Sequence, residues 1–446
     1  MSIRDLSFPQ QLKQAEVSPV YKKSDNLERG NYRPVSVLSC TSKVLEKVYY
    51  DQIYEHFITI LSEYLSAFRK NYGCHHVLIK LIEDWKRALD KGEHVGAILM
   101  DLSKAFDCLS HRLLLSKLHA YGMSLNACTL IRSYLEGRKQ RVKISKARSE
   151  WRCLAKGVPQ GSVLGPLLFN IFVNDLVYFL ENLCMLYNYA DDNSVSHSDK
   201  NMYALKSRLE QCATIAVQWF NKNDMEANPS KFQGILIRHG STWAPSSFTV
   251  NNIDIPIENN VKILGVFLDK DLKFDKHIRE LCIKATRQLR AISRISKYLD
   301  EACKLNLFHA FIMSNLNYCS TVWHFCNSGD SMKLEKIQKR ALRIIYNDYE
   351  SNYNDLLEKV GRPLLYVARL RSLALETYKS IHKQNPPFLH DLFLIKESNY
   401  NLRHENQAIQ PKVRTEKYGL NSFRYQGSKI WNSIPQEITR AFCQRV

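Results

Sequence analysis

The sequence predicts an α+β fold on three observations. His94 to Asp101, HVGAILMD, is a short apolar run ending in an acid, as expected of a strand buried on both faces with its last residue at an open end. Leu183 to Val195 carries strand-forming residues on either side of two adjacent acids, Asp191 and Asp192, which reads as a hairpin with its charge at the turn. From about residue 275 the apolar residues recur at helical spacing instead.

Taken in order, residues 16–47 are basic and turn-rich, and a helix is expected from near Ser42. Residues 43–90 read as mostly helical, with the basic, aromatic SAFRKNYGCHH as an interruption. Helix is expected again over roughly 110–136 and 202–220, and strands over FQGILI and over 261–269, VKILGVFLD. In IRELCIKATRQLRAISRI the apolar Ile278, Leu281, Ala285, Leu289 and Ile292 share one helical face and leave Lys284, Arg287, Arg290 and Arg294 largely elsewhere. Residues 385–446 read as more polar and irregular.

The 446 residues allow two or three domains. With 63 Lys+Arg against 44 Asp+Glu and a pI near 9.3, the chain suits a polyanionic partner, nucleic acid ahead of an anionic membrane. Residues 273–345 alone hold 14 Lys+Arg and 6 Asp+Glu, which suits a duplex backbone read without sequence preference. The longest apolar stretch, VLGPLLFNIFV, is too short to span a bilayer and is interrupted by Asn170. Twelve cysteines form no CxxC pair, and MSIRDLSFPQQLKQ has no apolar core for a signal peptide. The expectation is free, mostly buried thiols in a reducing, nuclear and cytoplasmic setting. Neither Cys74, His75 and His76 nor Cys319, His324 and Cys326 has zinc-ligand spacing.

Two adjacent carboxylates repel, and a hard divalent cation relieves them. If the Asp101 strand pairs with the hairpin, the backbones lie roughly 4.8 Å apart. Asp101 and Asp191 could then share two metals about 3.5–4 Å apart, the spacing of two-metal phosphoryl transfer. Lys22, Lys23 and Arg33 are candidates to hold a triphosphate. Phe106 sits where a ring could close over a nucleotide sugar. GVPQGSVLGPLLFNIFVND, with Gly157, Gly161, Gly165 and Gln160, lets backbone amides approach a base or phosphate and aims a helix N-terminus at negative charge. Lys231, at the turn NPSK, could act as a general acid toward a leaving phosphate. For each basic residue a solvated surface role is the plain alternative, and for Phe106 a core role.

YKKSDNLERGNYRPVSVLS (21–39), DLSKAFDCLSH (101–111), GVPQGSVLGPLLFNIFVNDL (157–176), YADD (189–192), NPSK (228–231) and KILGVFLD (262–269), in this order and spacing, resemble the reverse transcriptase of non-LTR (LINE-type, jockey-like) retrotransposons. The resemblance runs over nearly the whole chain. It implies a right-hand polymerase: partial fingers over 1–94, an antiparallel-sheet palm with embedded fingers-palm elements over 95–272, a helical thumb over 273–350 and a mostly helical C-terminal region over 351–446. It implies RNA-directed DNA polymerase activity with Asp101, Asp191 and Asp192 as catalytic carboxylates on two Mg²⁺ ions, or Mn²⁺, assisted by the backbone carbonyl of Leu102. By the same resemblance Lys22 and Arg33 meet the incoming dNTP, Phe106 gates against ribonucleotides, Gln160 and Gly161 flank the nascent pair, and Lys231 donates a proton to pyrophosphate. The implied partners are an RNA template, a DNA primer and their duplex, with no membrane.

Departures from the family pattern are Ala67, where a glycine is usual before Phe-Arg, the absence of a CCHC knuckle, and no room for an upstream endonuclease, which reads as N-terminal truncation. A catalytically silent or domesticated remnant that binds nucleic acid is the rival expectation. An RNA-dependent RNA polymerase is the third, disfavoured because Phe106 would obstruct a 2′-OH.

Overall fold

The structure is a computed structural model and describes residues 3–22, 25–103, 105–240, 243–396 and 407–435. Strands β1 (Gln14–Tyr21) and β2 (Tyr32–Val37) form an antiparallel hairpin, followed by helices α1 (Cys40–Phe57) and α2 (Cys74–Asp90). The apolar run becomes β3 (His94–Ser103). The helix expected over 110–136 follows the short α3 (Ala105–Cys108) as two pieces, α4 (His111–Ala120) and α5 (Leu125–Leu135), broken where Gly122 takes a φ of 86°. Strand β4 (Lys139–Ile144) lies parallel to β1, with β5 (Ala147–Arg148) and β6 (Arg152–Cys153) beside it.

Helices α6 (Gly165–Val173) and α7 (Leu176–Leu180) lead into the expected hairpin, β7 (Met185–Tyr189) and β8 (Asp192–Asp199). Helix α8 (Met202–Lys222), β9 (Glu226–Ala227) and β10 (Gln233–Ile237) follow, then the hairpins β11 (Ser247–Val250) with β12 (Ile253–Pro256) and β13 (Asn260–Ile263) with β14 (Val266–Asp269). The single strand expected over 261–269 is therefore two. The chain reverses at Leu264 and Gly265, which take φ of 45° and 83°. Seven helices complete the described chain: α9 (Asp275–Ile295), α10 (Glu301–Leu307), α11 (Ser314–Asn317), α12 (Ser328–Tyr346), α13 (Tyr353–Lys359), α14 (Leu365–Ile381) and α15 (Phe423–Ser433).

The central sheet runs β10-β3-β8-β7. Its middle strand explains the unbroken apolar run in sequence. Val95 and Ala97 join one core cluster with Leu78 and Trp85 of α2, while Ile98, Met100 and Leu102 join a second with Leu205 and Leu209 of α8. Both faces are covered, so alternation with polar residues is absent. Each large apolar side chain so buried contributes about 1.5–3 kcal/mol. Gly96 lies under α8, where an added Cβ would meet Leu205 at 2.8 Å.

Helix α2 also holds the C-terminal part of the chain, where the described part of 385–446, read as irregular, contains the helix α15. Buried Glu83 accepts from the backbone N–H of Phe423 and Arg424 at 2.5 and 3.1 Å, so it caps α15. Buried Asp90 accepts from the N–H of Arg414 and Thr415 and from the Thr415 hydroxyl, and Lys86 donates to the carbonyl of Asn421. These three acceptors and donors lie one helical turn apart or close to it, on one face. Among the described residues eleven cysteines are free, but Cys128, Cys212 and Cys319 alone are buried. No helix among the described residues is long and apolar enough to cross a membrane.

Candidate active site

β3 and β8 pair so that Asp101 lies directly opposite Asp192. β7 and β8 pair down to Tyr189 and Asp192, leaving Ala190 and Asp191 as a two-residue turn. All three acids thus meet at one end of the central sheet, and each is exposed. Like charges directly across a strand pair destabilise the sheet. The register sets Asp101 against Asp192, not against Asp191, which stands at the tip. Burial by the surrounding chain, then Asp191, then Asp101, push the Asp192 carboxyl up to about 6. Among the described residues no Lys, Arg or His forms an ion pair with any of the three. An unneutralised set of three carboxylates suits a hard cation such as Mg²⁺. Their ligand atoms do not all lie within 4.8 Å of one another, so the exposed side chains must rotate to converge on a cation.

The tip is fixed from beneath by two asparagines that sequence reasoning did not single out. Asn188 donates to the carbonyl of Ala190 at 3.0 Å and to the side-chain oxygen of Asn193 at 2.8 Å, and Asn193 donates to the carbonyl of Asp191 at 3.1 Å. Both are buried. Ala190 takes a φ of 57°, the left-handed region, at the first turn position. Type II′ hairpins normally place glycine there, so the tip carries local strain. The only signal in sequence was the Asn on either side of the acids.

Leu102 follows Asp101 on β3, with its side chain buried and its Cα partner in Ala227 of β9. Lys231 ends a 3₁₀ turn, Pro229–Lys231, and is exposed. The turn leads into β10, whose first residue Gln233 pairs with Leu99, two residues before Asp101 on β3. Phe106 is half-buried. It stacks on Phe169 at 4.5 Å between centroids and meets Phe68 edge-on at 5.9 Å. Ala67, which the family pattern left unexplained, is buried at a φ outside the left-handed region, while Phe68 takes a φ of 59°. The Ala67 carbonyl accepts from Asn170 at 2.7 Å, which locks this segment to α6.

The Gly-rich loop is stitched down on both sides. Gln160 donates to Asp107 at 3.1 Å, and its carbonyl accepts from the Ser36 N–H at 2.8 Å. Gly161, at a φ of 117°, has no room for a Cβ, which would sit 2.7 Å from the Ser36 oxygen. The negative charge at which α6 aims its N-terminus is internal to the protein. Fully buried Glu46 already accepts from Val163 and Leu164 at 2.7 and 3.2 Å, and Ser162 accepts from Gly165. The anion at this helix end is the protein's own carboxylate.

Lys22 and Arg33 are exposed and share one face of the β1–β2 hairpin, because Arg33 pairs with Val20 two residues before Lys22. Neither bonds to the acidic tip. Lys23 lies outside the described residues. The other face of this hairpin, with Pro19, Tyr32 and Pro34, lines a cavity of 810 Å³ shared with Asp107 and Gln160.

One tight cluster of metal-ligand type exists among the described residues: His75, His76 and Glu376. His76 Nε2 lies 3.1 Å and His75 Nε2 3.6 Å from the Glu376 carboxylate. The Gly73 N–H donates to His76 Nδ1 at 3.0 Å, so His76 is the Nε2–H tautomer and donates to Glu376. A metal on Nε2 would require a proton on Nδ1, pointing at the Gly73 N–H. Lys379 adds a third donor to the same carboxylate at 2.8 Å. The arrangement is a hydrogen-bonded clasp between α2 and α14 and does not fit a metal. Burial opposes the charge on Glu376, but its bonds to His75, His76 and Lys379 outweigh that and hold it well below the usual carboxylate range.

Residues 20–268 match the family model described as Reverse transcriptase (RNA-dependent DNA polymerase). This chain belongs to the reverse transcriptase family. Its relatives include the probable RNA-directed DNA polymerase from transposon X-element of Drosophila melanogaster, 28% identical over 76% of this chain and 38% of that protein. The RNA-directed DNA polymerase from mobile element jockey of Drosophila funebris is 27% identical over 76% and 38%. The chain thus spans well under half the length of these curated relatives. Among solved structures, apo telomerase from Candida Tropicalis aligns over 85% of this chain and 69% of that chain, with 13% identity and a TM-score of 0.45. The resemblance to non-LTR, jockey-like reverse transcriptases stands with the family match, and with it the right-hand polymerase fold.

Proposed function

We propose that this reverse transcriptase is an RNA-directed DNA polymerase that transfers a nucleotidyl group from a dNTP to a primer 3′-OH on an RNA template. The observation that carries the reading is the strand register, which sets Asp101 opposite Asp192 beside the Asp191 turn with no cationic partner among the described residues. Two Mg²⁺ ions, or Mn²⁺, would be held by Asp101, Asp191 and Asp192 with the Leu102 carbonyl alongside, supplying Lewis-acid activation of the 3′-OH and charge neutralisation at pyrophosphate. Lys22 and Arg33 orient the triphosphate, Arg through two donors and Lys as a point charge. Phe106, backed by Phe169, blocks a 2′-OH, and Gln160 with Gly161 flanks the new base pair. Lys231 gives its proton to the leaving pyrophosphate. Arg287, Arg290, Arg294 and Arg340 line one groove of 530 Å³ between α9 and α12 and suit the phosphates of the RNA–DNA duplex.

Primer extension on an RNA template with dNTPs and Mg²⁺ tests the reading. Extension by the wild type that vanishes in Asp191→Asn and is weaker with rNTPs is the expected result. Equal extension by wild type and Asp191→Asn would remove the carboxylate assignment.

A further inference from the structure

His111 ends the segment that carries Phe106 and Asp107, and it is the first residue of α4. A histidine gains nothing from the positive end of a helix dipole, so its place there calls for another partner. That partner is the Gly-rich loop. His111 Nε2 lies 2.7 Å from the carbonyl oxygen of buried Gly157. A carbonyl only accepts, so the ring carries a proton on Nε2 and donates it. The N–H of the same peptide unit, that of Val158, donates to the Phe106 carbonyl at 3.0 Å, and the Gly157 N–H donates to the Leu109 carbonyl at 2.7 Å. The loop therefore lies directly on the 106–109 backbone. At Gly157, which takes a φ of 79°, an added Cβ would stand 2.6 Å from the Asp107 carbonyl oxygen.

We propose that His111 is a positioning residue that fixes the Gly157–Val158 peptide plane, and through it the placement of Gln160 against Phe106 around the incoming nucleotide. The inference rests on the polymerase reading for its consequence, because that reading sets Phe106 and Gln160 on two sides of one nucleotide. A peptide unit is planar and turns as a whole. This one is gripped at both ends, its oxygen by His111 and its N–H by the Phe106 carbonyl, so it cannot rotate. Without the imidazole it hangs on the N–H bond alone, and its buried oxygen is left without a donor. Gln160 lies two residues further along the loop, where its side chain donates to Asp107 at 3.1 Å. A tilt of the plane is thus passed to the group that faces the base pair.

The test compares wild type, His111→Phe and His111→Gln as full chains by amide hydrogen exchange and by steady-state primer extension. Phenylalanine keeps a ring and removes the donor, whereas glutamine keeps an N–H donor at similar reach and removes the ring. Losing one hydrogen bond corresponds to a factor of about five. His111→Phe is expected to speed exchange over 157–161 and to raise KM for dNTP, each about fivefold, with kcat and KM for primer–template little changed. His111→Gln is expected to bring both back toward wild type. Exchange or dNTP KM unmoved in His111→Phe, or moved as far in His111→Gln, overturns the positioning role. So does a fall in kcat that follows lost thermal stability with dNTP KM at the wild-type value. Failure of the wild type to extend any primer would sink the polymerase reading, and the exchange pattern would still decide whether His111 holds the loop.

Discussion

Asp101, Asp191 and Asp192 stand at the open end of the central sheet with no ion-pair partner among the described residues, whereas Glu83, Asp90 and Glu376 are buried around α2 and α14 with every carboxylate engaged. Both sets are acids brought together from distant parts of a basic chain. The buried set takes its donors from the protein, two backbone amides on Glu83 and two amides and a hydroxyl on Asp90. The exposed set takes none from its neighbours among the described residues, and burial, with repulsion from Asp191 and Asp101 added to it, raises the Asp192 carboxyl. An acid whose partners are inside the fold stabilises the fold, and an acid whose partners are missing from it has been kept for something that binds.

The largest expected difference is in activity. Asp191→Asn should lower primer extension by about a thousandfold or more, since it removes a metal-holding charge. Its thermal midpoint should stay level or rise, because one repulsive charge leaves the tip. A parallel loss of stability would erase the contrast between the two sets.

The mirror-image change is Asp90→Ala. It strips the acceptor from the N–H groups of Arg414 and Thr415 and from the Thr415 hydroxyl, leaving three part-buried donors without it. Urea unfolding should show a loss of roughly 3 kcal/mol. Specific activity per folded molecule should be unchanged. An Asp90→Ala protein that is stable but cannot extend primers would move this acid into the other set.

The α2–α14 clasp gives a pH dependence of definite sign. Burial lowers the His76 proton affinity below its ordinary value of 6.5, although its bond to Glu376 works the other way. The unfolded chain therefore binds more protons here, so the clasp's contribution is complete above about pH 6.5 and is lost as pH falls below it. His76→Gln should flatten that part of the stability profile. The wild-type minus mutant stability difference should shrink from pH 7.5 to 5.5 in urea titration. A difference that grows on the alkaline side would refute the neutral Nε2–H assignment.

The two sets also differ in how far the sequence revealed them. The strand ending in Asp101 and the hairpin carrying Asp191 and Asp192 are local patterns, apolar runs that stop at acids, and they stand out in a basic chain. The register between them is not local, so that Asp101 lies opposite Asp192 could not be read from either pattern. Glu46, Glu83 and Asp90 carried no signal, because their partners are backbone amides 117 to 341 residues away. For the same reason the segment around residues 413–424 read as irregular. Its backbone bonds go to α2 side chains, and side-chain acceptors leave no periodicity in the segment they hold. Hydrophobic period missed the reversal at Leu264 because a leucine at positive φ gives no turn signature.

Within the exposed set, the smallest effect is expected at Ala190. An L-residue in the left-handed region costs about 1–2 kcal/mol, and Ala190→Gly relieves it. Glycine also widens the unfolded ensemble by about 0.4–1 kcal/mol, so the net gain in stability should lie between about zero and about 1.5 kcal/mol. The acids should keep their places, because the carbonyls of Ala190 and Asp191 are held by Asn188 and Asn193 and those bonds do not depend on the Cβ. Extension by Ala190→Gly should therefore stay within about threefold of wild type, whereas Asn193→Ala, which frees the Asp191 carbonyl, should fall further for the loss of one hydrogen bond. If the glycine variant loses more activity than the asparagine variant, the strain at the turn and not the asparagine pair is what sets the acids.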